Sequence, residues 1–203
     1  AAYTAVDRAE EDEELATVVN GEAVGAMSRV SADLGARFVT FSTDYVFDGQ
    51  AAEPYVESDD TDPINAYGRS KLVGERLALA HNPSAVVVRT SWVYSSHGNN
   101  FVLTMLRLAA ERPSLGIVDD QLGCPTWARN LARVSATVLE RITADPGELN
   151  RRGVWHYCDR DAVSWYDFAQ TIFNVALEVG LLSRLPEMTR VPTSGFPQAA
   201  ARP

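Results

Sequence analysis

Cysteine is scarce in this chain: Cys124 and Cys158 are its two, in 203 residues. They lie far apart without metal-type spacing, which excludes a disulfide scaffold and makes a reducing cytoplasm the expected compartment. Histidine is as thin, with three residues, His81, His97 and His156, none in an HxH, HxxxH or HExxH pattern. A zinc site is therefore not expected, and no metal is assigned. Basic residues are outnumbered, 18 to 27, for a formal net charge of −9. No Lys/Arg cluster could neutralise a phosphate backbone, so nucleic acid is set aside as a partner. No apolar run approaches the ~18 residues of a membrane span, so a membrane is set aside too. The start, Ala1-Ala2-Tyr3-Thr4, has no initiator Met, no basic flank and no apolar stretch. It reads as a cut rather than a beginning, and not as a signal peptide. A Gly-rich phosphate-binding turn, GxGxxG or GxxGxxG, is missing throughout.

What is present is an ordinary globular composition, 46% hydrophobic and 22% charged, in a chain long enough to bury a core. The acidic runs Glu10 to Glu14 and Glu57 to Asp62 read as solvated surface. Helix and strand signals alternate. Leu15, Val18, Val19, Ala23, Ala26, Met27, Val30 and Leu34 recur at helical spacing, and Gly35 stops the run. Arg37 to Phe41 predicts a buried strand, and Asp48-Gly49 a turn opening a long polar loop. A helix is predicted from near Ala66 to about Ala80, then a strand at Val86-Val87-Val88. Further helices are expected over 100–110, 128–142 and 164–178, with strands at 116–118 and 154–157. The Pro- and Ala-rich tail from Pro186 to Pro203 is expected to be irregular. This alternation implies a parallel sheet covered by helices, with ligands gathering beyond the carboxyl ends of its strands. Chemistry is therefore sought just after Phe41 and just after Val88.

Tyr67-Gly68-Arg69-Ser70-Lys71 opens a predicted helix, and positions i and i+4 share a face, so phenol and ammonium can lie side by side. An adjacent ammonium favours phenolate and should lower the Tyr67 pKa from its free value near ~10. Alone this spacing arises by chance and is usually an exposed pair. Ser42-Thr43, at the end of the preceding predicted strand, changes the odds by placing a hydroxyl across the crevice. Alternation sends one of the two into the site; Thr43 is the choice and Ser42 the fallback.

With these residues in view, the chain resembles the extended short-chain dehydrogenase/reductases, and more narrowly the dTDP-4-dehydrorhamnose reductase family. The segments that carry the resemblance are Ser42 to Gly49 (STDYVFDG) and Asn65 to Glu75 (NAYGRSKLVGE), with Ala1 to Glu10, Arg89 to Tyr94 (RTSWVY) and Gly98 to Phe101. Val118 to Gln121 (VDDQ), Gly123, Pro125, Thr126 and Pro192-Thr193-Ser194 agree too. YxxxK marks the superfamily; STDYVFDG, RTSWVY and VDDQ mark the subgroup.

The resemblance implies an α/β fold: a partial Rossmann-like, doubly wound parallel sheet with a small C-terminal substrate-binding α/β region. Residues 1–115 would complete the dinucleotide-binding domain and hold the catalytic residues, with 116–203 mainly substrate-binding and interleaved with it. Tyr67 would be the proton donor, Lys71 would hold the nicotinamide ribose, and Thr43 would bind the substrate carbonyl. Asp44 and Trp92 would contact the sugar; Ala2, Tyr3 and Thr4 would meet the cofactor. Trp92 could equally be a core aromatic, Asn99-Asn100 a helix cap, and Asp119-Asp120 a turn or a sugar contact; Arg202 resembles a position near the substrate.

The implied activity is reduction of the C4 ketone of dTDP-4-dehydro-6-deoxy-L-mannose to dTDP-L-rhamnose with NADPH or NADH. A nucleotide-sugar epimerase or dehydratase, or a non-catalytic regulatory subunit on the same fold, are the alternatives. Assembly stays open, a homodimer included. The absent Gly-rich turn leads to the expectation that an N-terminal cofactor-binding part of roughly 60 residues lies outside these residues, so that they alone bind cofactor poorly.

Overall fold

The computed structural model describes residues 2–144, 153–159, 161–196 and 198–203. Ala1 lies outside them, and Ala2 to Ala5 form no regular element. A short helix, Val6–Ala9 (α1), leads to a helical run made of Glu13–Thr17 (α2), a π-helical turn at Val18–Glu22 and Ala23–Asp33 (α3). There follow strand Val39–Thr43 (β1), helix Ala66–His81 (α4) and strand Val86–Thr90 (β2). Next come Val93–Tyr94 (β3), Phe101–Glu111 (α5), Ser114–Val118 (β4), Leu122–Gly123 (β5) and Thr126–Trp127 (β6). The remainder comprises Ala128–Ala144 (α6), Val154–His156 (β7), Val163–Ser164 (β8), Trp165–Glu178 (α7) and Glu187–Val191 (β9).

Two compact units share the chain. The first takes Ala1–Thr90, Ala132–Tyr157 and Gln198–Pro203; the second takes Ser91–Leu131 and Cys158–Pro197. The chain leaves the first unit at the end of β2 and returns within α6. In the first unit β1, β2 and β7 form a parallel sheet in that order, with Val39 opposite Val86 and Val87 opposite Val154. The β2 valines are buried, as a strand covered on both faces requires. Thr43 and Thr90 end their strands in register.

The expected strand at 37–41 begins two residues later and is buried only towards its end: Phe41 is exposed, while Ser42 and Thr43 are not. The tail also departs from expectation. Glu187 to Val191 pair in parallel with Ser114 to Val118 over five positions. Their polar side chains carry little local strand signal, and pairing with β4 decides the conformation.

Helix α4 is built to be approached closely. Asn65 caps it, accepting from Gly68 N at 2.7 Å, and the Glu10 carboxylate accepts from Ala66 N at 2.8 Å, complementing the helix N-terminus. Gly74 faces the Asn20 carbonyl so tightly that a Cβ would overlap it. Gly21 and Gly25, which stand inside a helical run, leave room for the Val73 and Leu77 side chains, each 2.7 Å from where a Cβ would be.

The inner face of α4 also carries Glu75, 4% exposed, which forms a two-bonded ion pair (2.9 and 2.7 Å) with Arg89 of β2, 7% exposed. Arg89 lies over the Phe47 ring at 5.0 Å, and its Nη1 is 3.4 Å from His156 Nε2. Removing one member of such a pair strands a buried charge. Arg89→Met is expected to lower unfolding free energy by roughly 3–5 kcal/mol in urea titration, and Glu75→Leu with Arg89→Met to recover most of that loss.

Candidate active site

Tyr67 stands in the first turn of α4 and Thr43 at the carboxyl end of β1, near enough for the Thr43 hydroxyl to bear on the pKa of the Tyr67 phenol. Lys71 follows one turn later, 8% exposed, with Nζ donating to the Phe41 carbonyl at 2.7 Å. Asp44 joins them, its carboxylate accepting from Thr43 Oγ1 at 2.9 Å, and Tyr45 packs edge-on against Tyr67 with ring centroids 5.5 Å apart. Thr43, Asp44, Tyr67 and Lys71 thus gather at one strand end.

Their electrostatics differ from expectation in one respect. The Tyr67 phenol is pushed up to about 12, by burial first and then by the Asp44 carboxylate, with Thr43 pulling the other way. The Lys71 ammonium does not lower it. It is turned to the Phe41 carbonyl, and burial lowers its own pKa against the opposing charge of Glu75. Burial likewise raises Asp44 to about 6, in spite of hydrogen bonds from Thr43 and the backbone amides of Asp44 and Tyr45. Withdrawal of water thus dominates all three groups.

Of Ala2, Tyr3 and Thr4, Tyr3 is tied to α4 through a residue that periodicity did not single out. Asn20, 1% exposed in the π-helical turn, accepts from Tyr3 N at 2.8 Å and donates to Tyr3 O at 2.9 Å and Ser70 Oγ at 3.0 Å. The widened turn carries the extra residue that sets Asn20 inward. Its signal was an Asn-Gly pair inside an apolar helical run. The Tyr3 hydroxyl donates to Asp12 at 2.9 Å.

A shallow cleft beside β1 is lined by Asn20, Thr40, Phe41, Ser42, Lys71 and Glu75, among others. In it the buried Ser42 hydroxyl has no hydrogen-bond partner among the described residues, and the Lys71 ammonium has N–H donors beyond the one given to Phe41. An orphaned hydroxyl beside an ammonium suits the diol of a ribose, so these residues fit a nucleotide cofactor. Among the described residues no group of three or more His, Cys, Asp or Glu could hold a metal ion. No helix among them is long and apolar enough to cross a membrane.

Trp92 belongs to the second unit. Its indole stacks on Trp165, with centroids 3.4 Å apart and planes 7° from parallel. The RmlD substrate binding domain model matches residues 1–203. The chain belongs to this family.

A dTDP-4-dehydrorhamnose reductase of Salmonella typhimurium is 42% identical over 203 residues, all of this chain and 67% of that protein. A solved dTDP-4-dehydrorhamnose reductase from Clostridium acetobutylicum superposes with a TM-score of 0.89 at 40% identity, covering 100% of this chain and 67% of that one. One from Bacillus anthracis, solved in complex with NADP, gives 0.89 at 37% identity with the same coverage. The chain therefore spans about two thirds of these relatives, and its α/β architecture with parallel strands is theirs.

The raised Asp44 pKa has a testable sign. Between the ordinary value of 3.8 and about 6 the folded chain binds this proton more tightly than the unfolded chain, so the contribution of Asp44 to stability falls as pH rises through that window. Asp44→Asn keeps an acceptor for Thr43 and carries no charge. Urea midpoints are expected to favour the variant at pH 7, with the difference disappearing as pH approaches 4.

Proposed function

We propose that this chain holds the catalytic and substrate-binding residues of an NADPH-dependent reductase converting the C4 ketone of dTDP-4-dehydro-6-deoxy-L-mannose to dTDP-L-rhamnose, a cytoplasmic step in nucleotide-sugar synthesis. The observation that carries the reading is the gathering of Thr43 and Asp44, hydrogen-bonded to each other at the end of β1, with Tyr67 and Lys71 one helical turn apart in α4. Membership of the RmlD family and the reductases it matches support it.

When bound, the nicotinamide supplies the hydride. Lys71, with the orphaned Ser42 hydroxyl nearby, would hold its ribose, and the Ala2-Tyr3-Thr4 segment would lie against it. Tyr67 carries its proton at neutral pH, as a group that begins the reduction as a donor must, and burial and Asp44 raise its pKa to about 12 before the reactants bind. Thr43 would turn its one hydroxyl proton from Asp44 to the ketone oxygen when the sugar binds. Asp44 is then free to receive a sugar hydroxyl, and Trp92 contacts the sugar ring.

A dehydratase would ask for a second acid beside Asp44, and position 45 is Tyr. A regulatory subunit would have little need of the RTSWVY segment, which is intact from Arg89 to Tyr94. Tyr67→Phe in the whole gene product is expected to cut kcat by about 100-fold or more with the 4-keto sugar nucleotide and NADPH, while urea stability stays near the parent's. Turnover near the parent rate removes Tyr67 from the donor role.

A further inference from the structure

The VDDQ, Gly123–Thr126 and Pro192–Ser194 segments lie outside the Thr43–Tyr67–Lys71 group, yet within the second unit they converge on Trp92. Trp92 has φ 43°, in the left-handed region that bulky side chains avoid. Such strain persists only where neighbours over-determine it.

Here they do. The backbone is held on both sides of Trp92: Ser91 Oγ donates to Cys124 O at 2.8 Å, and Thr126 N donates to Trp92 O at 3.2 Å. The ring edge abuts Gly123, where a Cβ would stand 2.6 Å from Cζ2 and closer still to Nε1 and Cε2. The ring face is covered by Trp165, whose Nε1 donates to Gln121 Oε1 at 3.2 Å. Gln121 Nε2 in turn donates to Thr193 Oγ1 at 2.9 Å, and Thr193 is tied to Asp120 through its amide at 2.8 Å and its hydroxyl at 2.6 Å. A hydrogen-bonded chain from Asp120 through Thr193 and Gln121 thus fixes Trp165, and Trp165 fixes Trp92.

We propose that Gln121 and Gly123 are positioning residues for sugar recognition, Gln121 acting through Trp165 and Gly123 by lacking a Cβ, which together set the plane and depth of the Trp92 indole. This rests on the reading of Trp92 as a sugar contact. An aromatic ring pre-set in its binding orientation costs less ordering when the sugar arrives. Both residues therefore act on KM for the sugar nucleotide, and not on the proton donor or the cofactor.

The test is steady-state kinetics of the whole gene product with NADPH and the dTDP-linked 4-keto sugar, for Trp92→Ala, Gln121→Leu, Gly123→Ala and the Trp92→Ala/Gly123→Ala pair, together with circular dichroism of the coupled indoles. Gln121→Leu and Gly123→Ala are each expected to raise the sugar-nucleotide KM about tenfold, with kcat within about twofold and the NADPH KM unchanged. Each is expected to weaken the coupled-indole signal, and Gly123→Ala to add nothing once Trp92 is Ala. If Trp92→Ala leaves the sugar KM at the parent value, the sugar-contact reading itself fails. If Trp92→Ala raises it while Gln121→Leu and Gly123→Ala do not, the positioning role alone is overturned. A KM rise with an undisturbed indole signal overturns it as well, since the effect then bypasses the ring pair. Should Gly123→Ala not fold, Gln121→Leu decides.

Discussion

A helix that turns a hydroxyl, an ammonium and a carboxylate inward folds only if each finds a partner, and this constraint organises the first unit around α4. Ser70 is met by Asn20, Lys71 by the Phe41 carbonyl and Glu75 by Arg89. Every partner comes from a different segment: the π-helical turn, β1 and β2. Unpaired, any of these groups would cost more than the surrounding apolar burial at that point returns. The glycines at 21, 25 and 74 serve the same end, letting the helices approach until the Asn20 carboxamide spans the gap.

The same dryness that makes pairing obligatory sets the chemistry. With water withdrawn, Asp44 is raised to about 6, a stronger base than an ordinary carboxylate, and its charge raises the Tyr67 phenol in turn. A proton donor for ketone reduction has to start protonated, as a phenol does at neutral pH, and Thr43, bonded to Asp44, works against the rise in the phenol's pKa. Lys71 is held by a carbonyl, and the Ser42 hydroxyl that lines the same cleft has no partner among the described residues. The pairings that fold the helix and the groups that would meet the reactants are largely the same residues.

The second unit solves a different problem. Its core is apolar, built around Met105, Leu115, Ile117, Ile172 and Phe173 with Phe101, Trp165 and Phe168 packed against it. On that base stands one strained tryptophan, braced by a neighbouring indole and by polar side chains drawn from two distant stretches of chain. Stiffness in the first unit comes from buried charge; in the second it comes from stacked rings.

Much of this was legible in the residues. Helical spacing located the runs at 13–33 and 66–81, Asn100 announced a cap that forms, and the valines of β2 declared a strand buried on both faces. Such features depend on neighbours within a turn or two, where sequence separation and spatial separation coincide. YxxxK and the hydroxyl before Asp44 were readable for the same reason. What spacing could not say was which charge Lys71 would face, that Asn20 would clamp Tyr3 from 17 positions away, that Glu187–Val191 would find β4, or that Trp92 would be forced to positive φ. Those are consequences of segments meeting across the fold, where desolvation and steric closeness, not local propensity, determine the outcome.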